Sequence, residues 1–491
     1  MSNPGDDLFV KRFFLGAGWV LARLGGRQVL TTISYLYFAT QLGPKEFGIG
    51  SLAISISFIG KLLLERGVMD AVVKENYTTD RWLSTAFWLA IIVAAFIMIA
   101  VIMGAAGLSL YRGGMEGALV FLVTPLLILA FGCSRVHEGL LRREFRFKRL
   151  AIIQIIAVLL AFSVGFSVLS LGGGCWSMVA FALTECIVIS AFVIASATWR
   201  VSFEFDLDAA KKILNFSGPV AFSSVLTGGN LRFIEVMVGA VLGPTSAGIY
   251  RVAAQINMVM NQALRAPVTQ MVLPSFTRIT ERREFTARSL DTIAASSFVC
   301  FPSFLFLALV VEDFIIFVLG DVWADAGLVA SWLLLSVVGL LITPITAMLL
   351  IARDEVAVAF RQSLIIVLMT CGGAFIGLQT GVLSGGAMGF SIGSILALPY
   401  VLAKAINLLD CKIGDLAVST MPYLVAAVLA CGVLELSRNY MGEFEAPLLL
   451  NSFGVVAASI FYLTLVWVSL VLFDKDRLHS ISNLVKRFKI V

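Results

Sequence analysis

Runs of about 20 apolar residues recur along nearly the whole chain, and no other feature limits its folding so strongly. A run of that length crosses a hydrocarbon layer of roughly 30 Å as a helix. Backbone amides cannot stay unpaired in lipid, so the runs must be helices or the strands of a closed barrel. The short alternating segments of a barrel are absent, which leaves an all-α polytopic membrane protein. Only 14% of residues are charged, against about a quarter in soluble domains, so a soluble fold is excluded as well.

The hydropathy pattern predicts about 14 transmembrane helices, at residues 13–42, 47–68, 82–109, 115–137, 150–171, 174–197, 215–242, 247–273, 289–311, 326–351, 357–379, 381–407, 417–437 and 446–473. Leu42-Gly43-Pro44-Lys45-Glu46-Phe47-Gly48-Ile49 is answered 200 residues later by Leu242-Gly243-Pro244-Thr245-Ser246-Ala247-Gly248-Ile249. Ala53 and Ile56 then match Ala253 and Ile256. Gly suits the end of a helix and Pro cannot continue it, so each copy is a corner between two helices. The repeat sets spans 1 and 2 against spans 7 and 8. It predicts two six-helix lobes related by pseudo-twofold symmetry, residues 1–200 and 201–412, an extra helix pair at 413–473, and a basic tail at 474–491.

With the N-terminus in the cytosol, roughly 27 Lys and Arg fall on the cytosolic side, against Lys45, Arg112 and Arg438 outside. An even span count also returns the C-terminus to the cytosol. The first residues are too polar and acidic for a cleaved signal, and the seven cysteines lie singly, without metal-site spacing. The cytosolic loop Arg142-Arg143-Glu144-Phe145-Arg146-Phe147-Lys148-Arg149 interleaves basic and aromatic residues. It suits anionic membrane lipids, although the same charges serve equally as a topology anchor. Residues 200–212 carry both signs and read as the tether between lobes. Prolines 125, 219, 267, 302, 344 and 399 fall in or near spans, where each permits a kink.

Ionised side chains inside these spans are the candidate functional residues, because each costs at least ~2.5 kcal/mol at a bilayer centre. Arg23, Arg27, Thr31 and Ser34 fall on one face of span 1. Arg251, Gln255, Met258, Gln262, Arg265 and Thr269 form a stripe on span 8. Span 7 adds Arg232 and Glu235, and span 2 adds Lys61 and Glu65. The basic members outnumber Glu65 and Glu235, so a cleft lined by them would attract an anion, and Arg grips phosphate oxygens in pairs. Arg232–Glu235 and Lys61–Glu65 stand at helical spacings that equally allow mutual neutralisation, or a coupling role for the two acids. Arg23, Arg27 and Arg265 have no acid at such spacing and are the stronger candidates for binding. Glu185, a lone acid in span 6, reads as a paired structural residue.

The chain resembles the polysaccharide flippases of the multidrug/oligosaccharidyl-lipid/polysaccharide exporter superfamily. The resemblance rests on the helix running into Leu42–Gly48, the Arg142–Arg149 loop, Phe216-Ser217-Gly218-Pro219 opening span 7, and Leu242-Gly243-Pro244 with Gly248 and Tyr250. It implies a bacterial inner-membrane flippase. Such a protein carries undecaprenyl-pyrophosphate-linked oligosaccharides to the periplasmic leaflet by alternating access, for O-antigen, capsule or exopolysaccharide assembly. Related flippases use arginines in a central cavity, and Arg23, Arg27 and Arg265 match by helix position. A polysaccharide polymerase and export machinery are the expected partners.

No enzyme activity, cofactor, metal or nucleic acid is expected. The alternatives are a multidrug/cation antiporter, which would need an acidic cavity, and a membrane enzyme acting on lipid-linked sugars, which would need a larger loop with carboxylates or His. Pure scaffolding leaves the arginine stripe without a purpose.

Overall fold

The computed structural model describes residues 4–74, 79–111, 117–144, 146–277, 279–441 and 459–466, with side chains given from residue 26 onward except at scattered positions. Every regular element among them is helical. Among the described residues, ten helical stretches are long and apolar enough to cross a membrane, so the chain is a multi-pass membrane protein. The expected span at 446–473 lies mostly outside the described residues.

Helix α1 (Pro4–Lys74) is two helices meeting at Gly43, whose backbone (φ 70°, ψ 169°) leaves the helical region before Pro44 starts again. The second copy of the motif repeats this geometry. Helix α7 (Leu207–Leu242) ends at Gly243 (φ 91°, ψ 176°), and α8 (Pro244–Met260) begins with the proline at its first position. Positive φ is open to Gly at little steric cost, and Pro at N1 lacks only an amide that would be unpaired there anyway. The doubled motif thus makes the same turn twice.

Between them run α2 (Asp80–Tyr111), α3 (Ala118–Val123), α4 (Leu126–Arg143), α5 (Phe147–Ser170) and α6 (Trp176–Ser196). Pro125 divides α3 from α4, so the single span expected at 115–137 is broken after the six residues of α3. After α8 a π-helical turn, Asn261–Arg265, leads into α9 (Ala266–Phe276). Then come α10 (Arg282–Leu319), α11 (Ala324–Leu335), α12 (Val337–Leu340), α13 (Thr343–Ala352), α14 (Val356–Leu378), α15 (Leu383–Leu409) and α16 (Ile413–Met441). The span expected at 326–351 is therefore three short helices. Its second break, at Leu341 and Ile342, precedes Pro344.

Contacts divide the chain into two compact units, Met1–Gln262 with Leu378–Leu383, and Ala263–Gly377 with Ser384–Val491. Helices α7 and α8 pack on α1 inside the first unit. Tyr35 and Phe38 on α1 meet Phe181 of α6 edge-on, and Phe38 also meets Phe162 of α5. The second unit has its own apolar core around Val272, Phe285, Ile345, Leu349 and Leu409. Serine and threonine hydroxyls in the helices return hydrogen bonds to the preceding turn, as Thr32 does to Gln28 and Ser297 to Ile293. Such bonds keep polar atoms satisfied where lipid offers no partner.

Candidate functional site

The two corners bring their helices together through glycine. Gly48 and Gly248, four residues past each corner proline, lie against the opposite corner. The polar faces of α1, α7 and α8 consequently meet within the first unit. Four of the expected residues are found there.

Arg232 on α7 donates from Nη1 to Glu235 Oε2 at 3.2 Å and to Ser55 Oγ at 2.8 Å. Arg251 on α8 places its own Nη1 3.7 Å from the same carboxylate oxygen. All three charged residues are buried. Their guanidinium groups are backed by aromatic faces, Arg232 by Phe58 and Arg251 by Tyr35, each 4.8 Å from the ring centroid. Gln255, one turn along α8, donates to Thr32 Oγ1 on α1 at 2.8 Å. Arg232 and Glu235 do pair, as their spacing allowed. Arg251 makes the count two guanidiniums to one carboxylate, a local excess of positive charge in a water-poor interior.

Arg27 takes a partner that helical spacing could not reveal. Its Nε and Nη2 both donate to Glu185 Oε1 on α6, at 2.9 and 2.6 Å. The pair is only partly buried, with Arg27 35% exposed and Glu185 12%. Lys61, on the second arm of α1, sits over the ring of Phe131 at 4.3 Å and that of Phe58 at 5.5 Å. The side chains of Arg23 and Glu65 lie outside the described residues.

The stripe expected on span 8 does not run unbroken. Arg251 and Gln255 are buried on α8, whereas Gln262 is exposed on the π turn. A π turn inserts one residue into the helical register and rotates every later side chain about the axis. Arg265, the last residue of that turn, belongs to the second unit. There its Nη2 donates a short hydrogen bond to the carbonyl of Leu340, the last residue of α12. A broken helix exposes carbonyls that a guanidinium can satisfy. Gln362 on α14, fully buried, reaches the same break through Nε2 to the Thr343 carbonyl at 2.9 Å.

One charged cluster escapes a reading of the sequence. On α4, Glu138 is gripped by Arg135 at 2.8 Å and by Arg142 at 2.6 Å, with Arg135 stacked 3.3 Å from the Phe131 ring centroid. Arg135 and Glu138 are buried. The signal is present as acid and base at positions i, i+3 and i+7 of one helix. It is hidden because the predicted span ends at residue 137, which leaves Arg142 as part of a cytosolic loop.

These arrangements can hold anions. Guanidinium groups offer planar paired donors to phosphate oxygens, and the aromatic faces behind Arg232 and Arg251 fix their orientation.

Several known proteins are similar to this chain over most of its length. The succinoglycan biosynthesis transport protein ExoT of Rhizobium meliloti (strain 1021) is 23% identical over 455 residues, 91% of each chain. The teichuronic acid biosynthesis protein TuaB of Bacillus subtilis (strain 168) is 23% identical over 477 residues, 93% of this chain and 95% of that one. Among solved structures, the fold is similar to that of the lipid II flippase MurJ in an inward closed conformation. The TM-score is 0.72 at 15% identity, covering 95% of this chain and 99% of that one. A family model described as polysaccharide biosynthesis protein matches residues 38–327, more than half of the sequence and all of α7 and α8, and the chain therefore belongs to the polysaccharide biosynthesis protein family.

Proposed function

We propose that this protein is a flippase for lipid-linked oligosaccharides in the bacterial inner membrane, moving undecaprenyl-pyrophosphate-linked units from the cytosolic to the periplasmic leaflet. The observation that carries the reading is Glu235 shared between Arg232 and Arg251, an uncompensated positive charge on the helices that the internal repeat pairs. A buried charge excess is costly unless something offsets it, and the diphosphate of a lipid carrier is an anion of suitable size. Relatives named for succinoglycan transport and teichuronic acid synthesis support the glycan, and the MurJ-like fold supports a carrier lipid. A cation antiporter would call for the opposite charge balance.

In this reading both termini face the cytosol, where the basic loops lie, and the Gly43 and Gly243 corners face the periplasm. Contact between the corners closes the periplasmic end of α1, α7 and α8, so the substrate enters from the cytosol. Arg23, Arg27, Lys61, Arg232, Arg251, Gln262 and Arg265 are proposed to attract and hold the pyrophosphate. Glu65 and Glu235 balance them. Separation of the corners then releases the head group outward, and a substrate drives that step only by binding the two states unequally. A polysaccharide polymerase and export machinery are proposed to take up the product.

The test is reconstitution in liposomes with a fluorescent undecaprenyl-pyrophosphate oligosaccharide. Protein-dependent loss of protection from a membrane-impermeant quencher is expected. Protection unchanged from that of empty liposomes would refute the assignment.

A further inference from the structure

The helices of the second unit are interrupted at one common level. Its apolar core around Val272, Phe285, Ile293, Leu349, Leu409 and Leu416 draws on α9, α10, α13, α15 and α16. Just beyond that core the helical hydrogen bonding of each is broken. The π turn Asn261–Arg265 precedes α9, the bend at Leu341 and Ile342 precedes α13, and α10, α15 and α16 carry Pro302, Pro399 and Pro422. These interruptions touch one another. Arg265 donates to the carbonyl of Leu340, and Leu340 packs against Ala397 and Val401, on either side of Pro399. Tyr423, next to Pro422, meets the ring of Phe298 edge-on at 6.1 Å.

Phe298 and Leu340 share a second property. Proline has no amide hydrogen, so the carbonyl four residues before it loses its helical partner. Pro302 opens the carbonyl of Phe298 in this way, and Pro344 opens that of Leu340. A membrane interior has no water to make good the loss. A side chain from another helix does so instead. Tyr462, in the helical segment 459–466, donates from Oη to the Phe298 carbonyl at 2.7 Å, as Arg265 donates to Leu340. Tyr462 is buried with its ring 5.8 Å from that of Phe298, so packing aims the hydroxyl at the opened carbonyl. Its reach fixes the gap at Phe298, and that gap measures the bend of α10.

We propose that the half of the second unit built on this core swings as one body about the level of the breaks, and that Tyr462 is the positioning residue that sets its angle. The inference goes beyond the parting of the corners in the first unit and rests on the flippase reading only for its transport readout. Helix segments that share a core move together, and carbonyls opened by proline let them bend at the same height. Segment 459–466 acts on that bend through one hydroxyl.

The experiment is a double-mutant cycle on the full-length protein, with Tyr462→Phe and Pro302→Ala made singly and together. Tyr462→Phe removes one oxygen and leaves the Phe298 carbonyl without this donor, so the melting temperature is expected to fall by about 2 °C. Pro302→Ala returns an amide that satisfies the same carbonyl, and in that background Tyr462→Phe should cost less than about half as much. Hydrogen exchange in Tyr462→Phe should quicken at least about threefold across 338–346 as well as 296–304, because the bends loosen together. In the liposome assay the same variant should flip at least about threefold more slowly at saturating substrate, with the half-saturating concentration unchanged. The double variant should regain the melting temperature but not the rate, since Pro302→Ala removes the bend itself.

Equal losses of melting temperature in both proline backgrounds would overturn the task assigned to the hydroxyl. Faster exchange confined to 296–304 would overturn the common hinge, and recovery of rate together with stability would show that Tyr462 serves structure alone. Absence of flipping by wild type would refute the flippase reading, while the melting cycle and the exchange would still decide the hinge.

Discussion

A methyl group added to Gly48 would stand 1.8 Å from the carbonyl oxygen of Pro244, and one added to Gly248 would stand 2.2 Å from that of Pro44. The two copies of the repeated motif thus cross each other reciprocally, each glycine seating the backbone of the opposite corner. Neither obstacle is a side-chain tip that could swing away. Gly48→Ala and Gly248→Ala are each expected to destabilise the detergent-solubilised protein by about 1–3 kcal/mol, as overpacking does. Gly104→Ala, where an added carbon meets nothing within 4 Å, is the control and should be neutral or slightly stabilising. The double variant Gly48→Ala/Gly248→Ala should cost less than the sum, because one displacement relieves both clashes. Thermal unfolding of the four proteins checks this.

Glu235 serves two guanidiniums, so the variants of this cluster should fall in an order set by charge. Glu235→Gln leaves Arg232 and Arg251 facing each other with no anion, and a loss of about 3–5 kcal/mol is expected. Arg251→Gln leaves Arg232 and Glu235 as a one-to-one pair at 3.2 Å and should lose distinctly less stability. The same variant should nevertheless fail in the flipping assay, since it removes the excess charge. Melting temperature and flipping rate would then rank the two variants oppositely to a purely structural cluster, in which activity tracks stability.

Arg265 donates to the carbonyl at the end of α12, a task that needs a directed N–H rather than charge alone. Arg265→Lys keeps the charge on a flexible stem without the planar fork. It is expected to retain membrane expression but to lose most surface polymer when it replaces the wild-type gene, and Arg265→Ala should lose all of it. Wild-type polymer from Arg265→Ala would remove this residue from the proposed site.

Much of the fold is legible in the sequence because lipid imposes a single local rule. Apolar runs of fixed length mark most of the helices, and the spacing of Gly43 and Gly243 marks two equivalent corners. The proline breaks are less legible. Pro125 and Pro344 permit kinks, but only the packed structure shows that they divide spans into separate helices. The site is legible where partners lie on one helix, as Arg232 and Glu235 do. It is not legible where tertiary packing supplies the partner, as for Arg27 and Glu185, 158 residues apart. The stripe from Arg251 to Arg265 assumes 3.6 residues per turn throughout, and a π turn that leaves no mark in hydropathy interrupts it.

Asp206 gives a pH-dependent prediction outside the membrane. It caps α7 by accepting from the backbone amides of Asp208 at 2.9 Å and Ala209 at 3.2 Å, and Arg81 approaches it at 3.7 Å. The amide of Ala209, then that of Asp208, with a smaller contribution from Arg81, holds its carboxyl below the usual carboxylate range. The unfolded chain therefore takes up a proton before the folded one does. The stabilisation is complete above the unfolded pKa of about 4 and is lost as pH falls through the lower folded value. The segment before it is held to α2 by Trp88 Nε1 donating to the Ser202 carbonyl and by the paired hydroxyls of Ser84 and Ser202, so the cap closes an already anchored strap. Asp206→Ala should lower the melting temperature at pH 7, with the gap to wild type closing as the medium is taken below about pH 4. Asp206→Asn, which keeps a capping oxygen without the charge, should show a smaller gap at pH 7 that narrows by the same amount over the same pH range. A gap for Asp206→Ala that stays constant from neutral to acid would show that the carboxylate's charge contributes nothing to the cap.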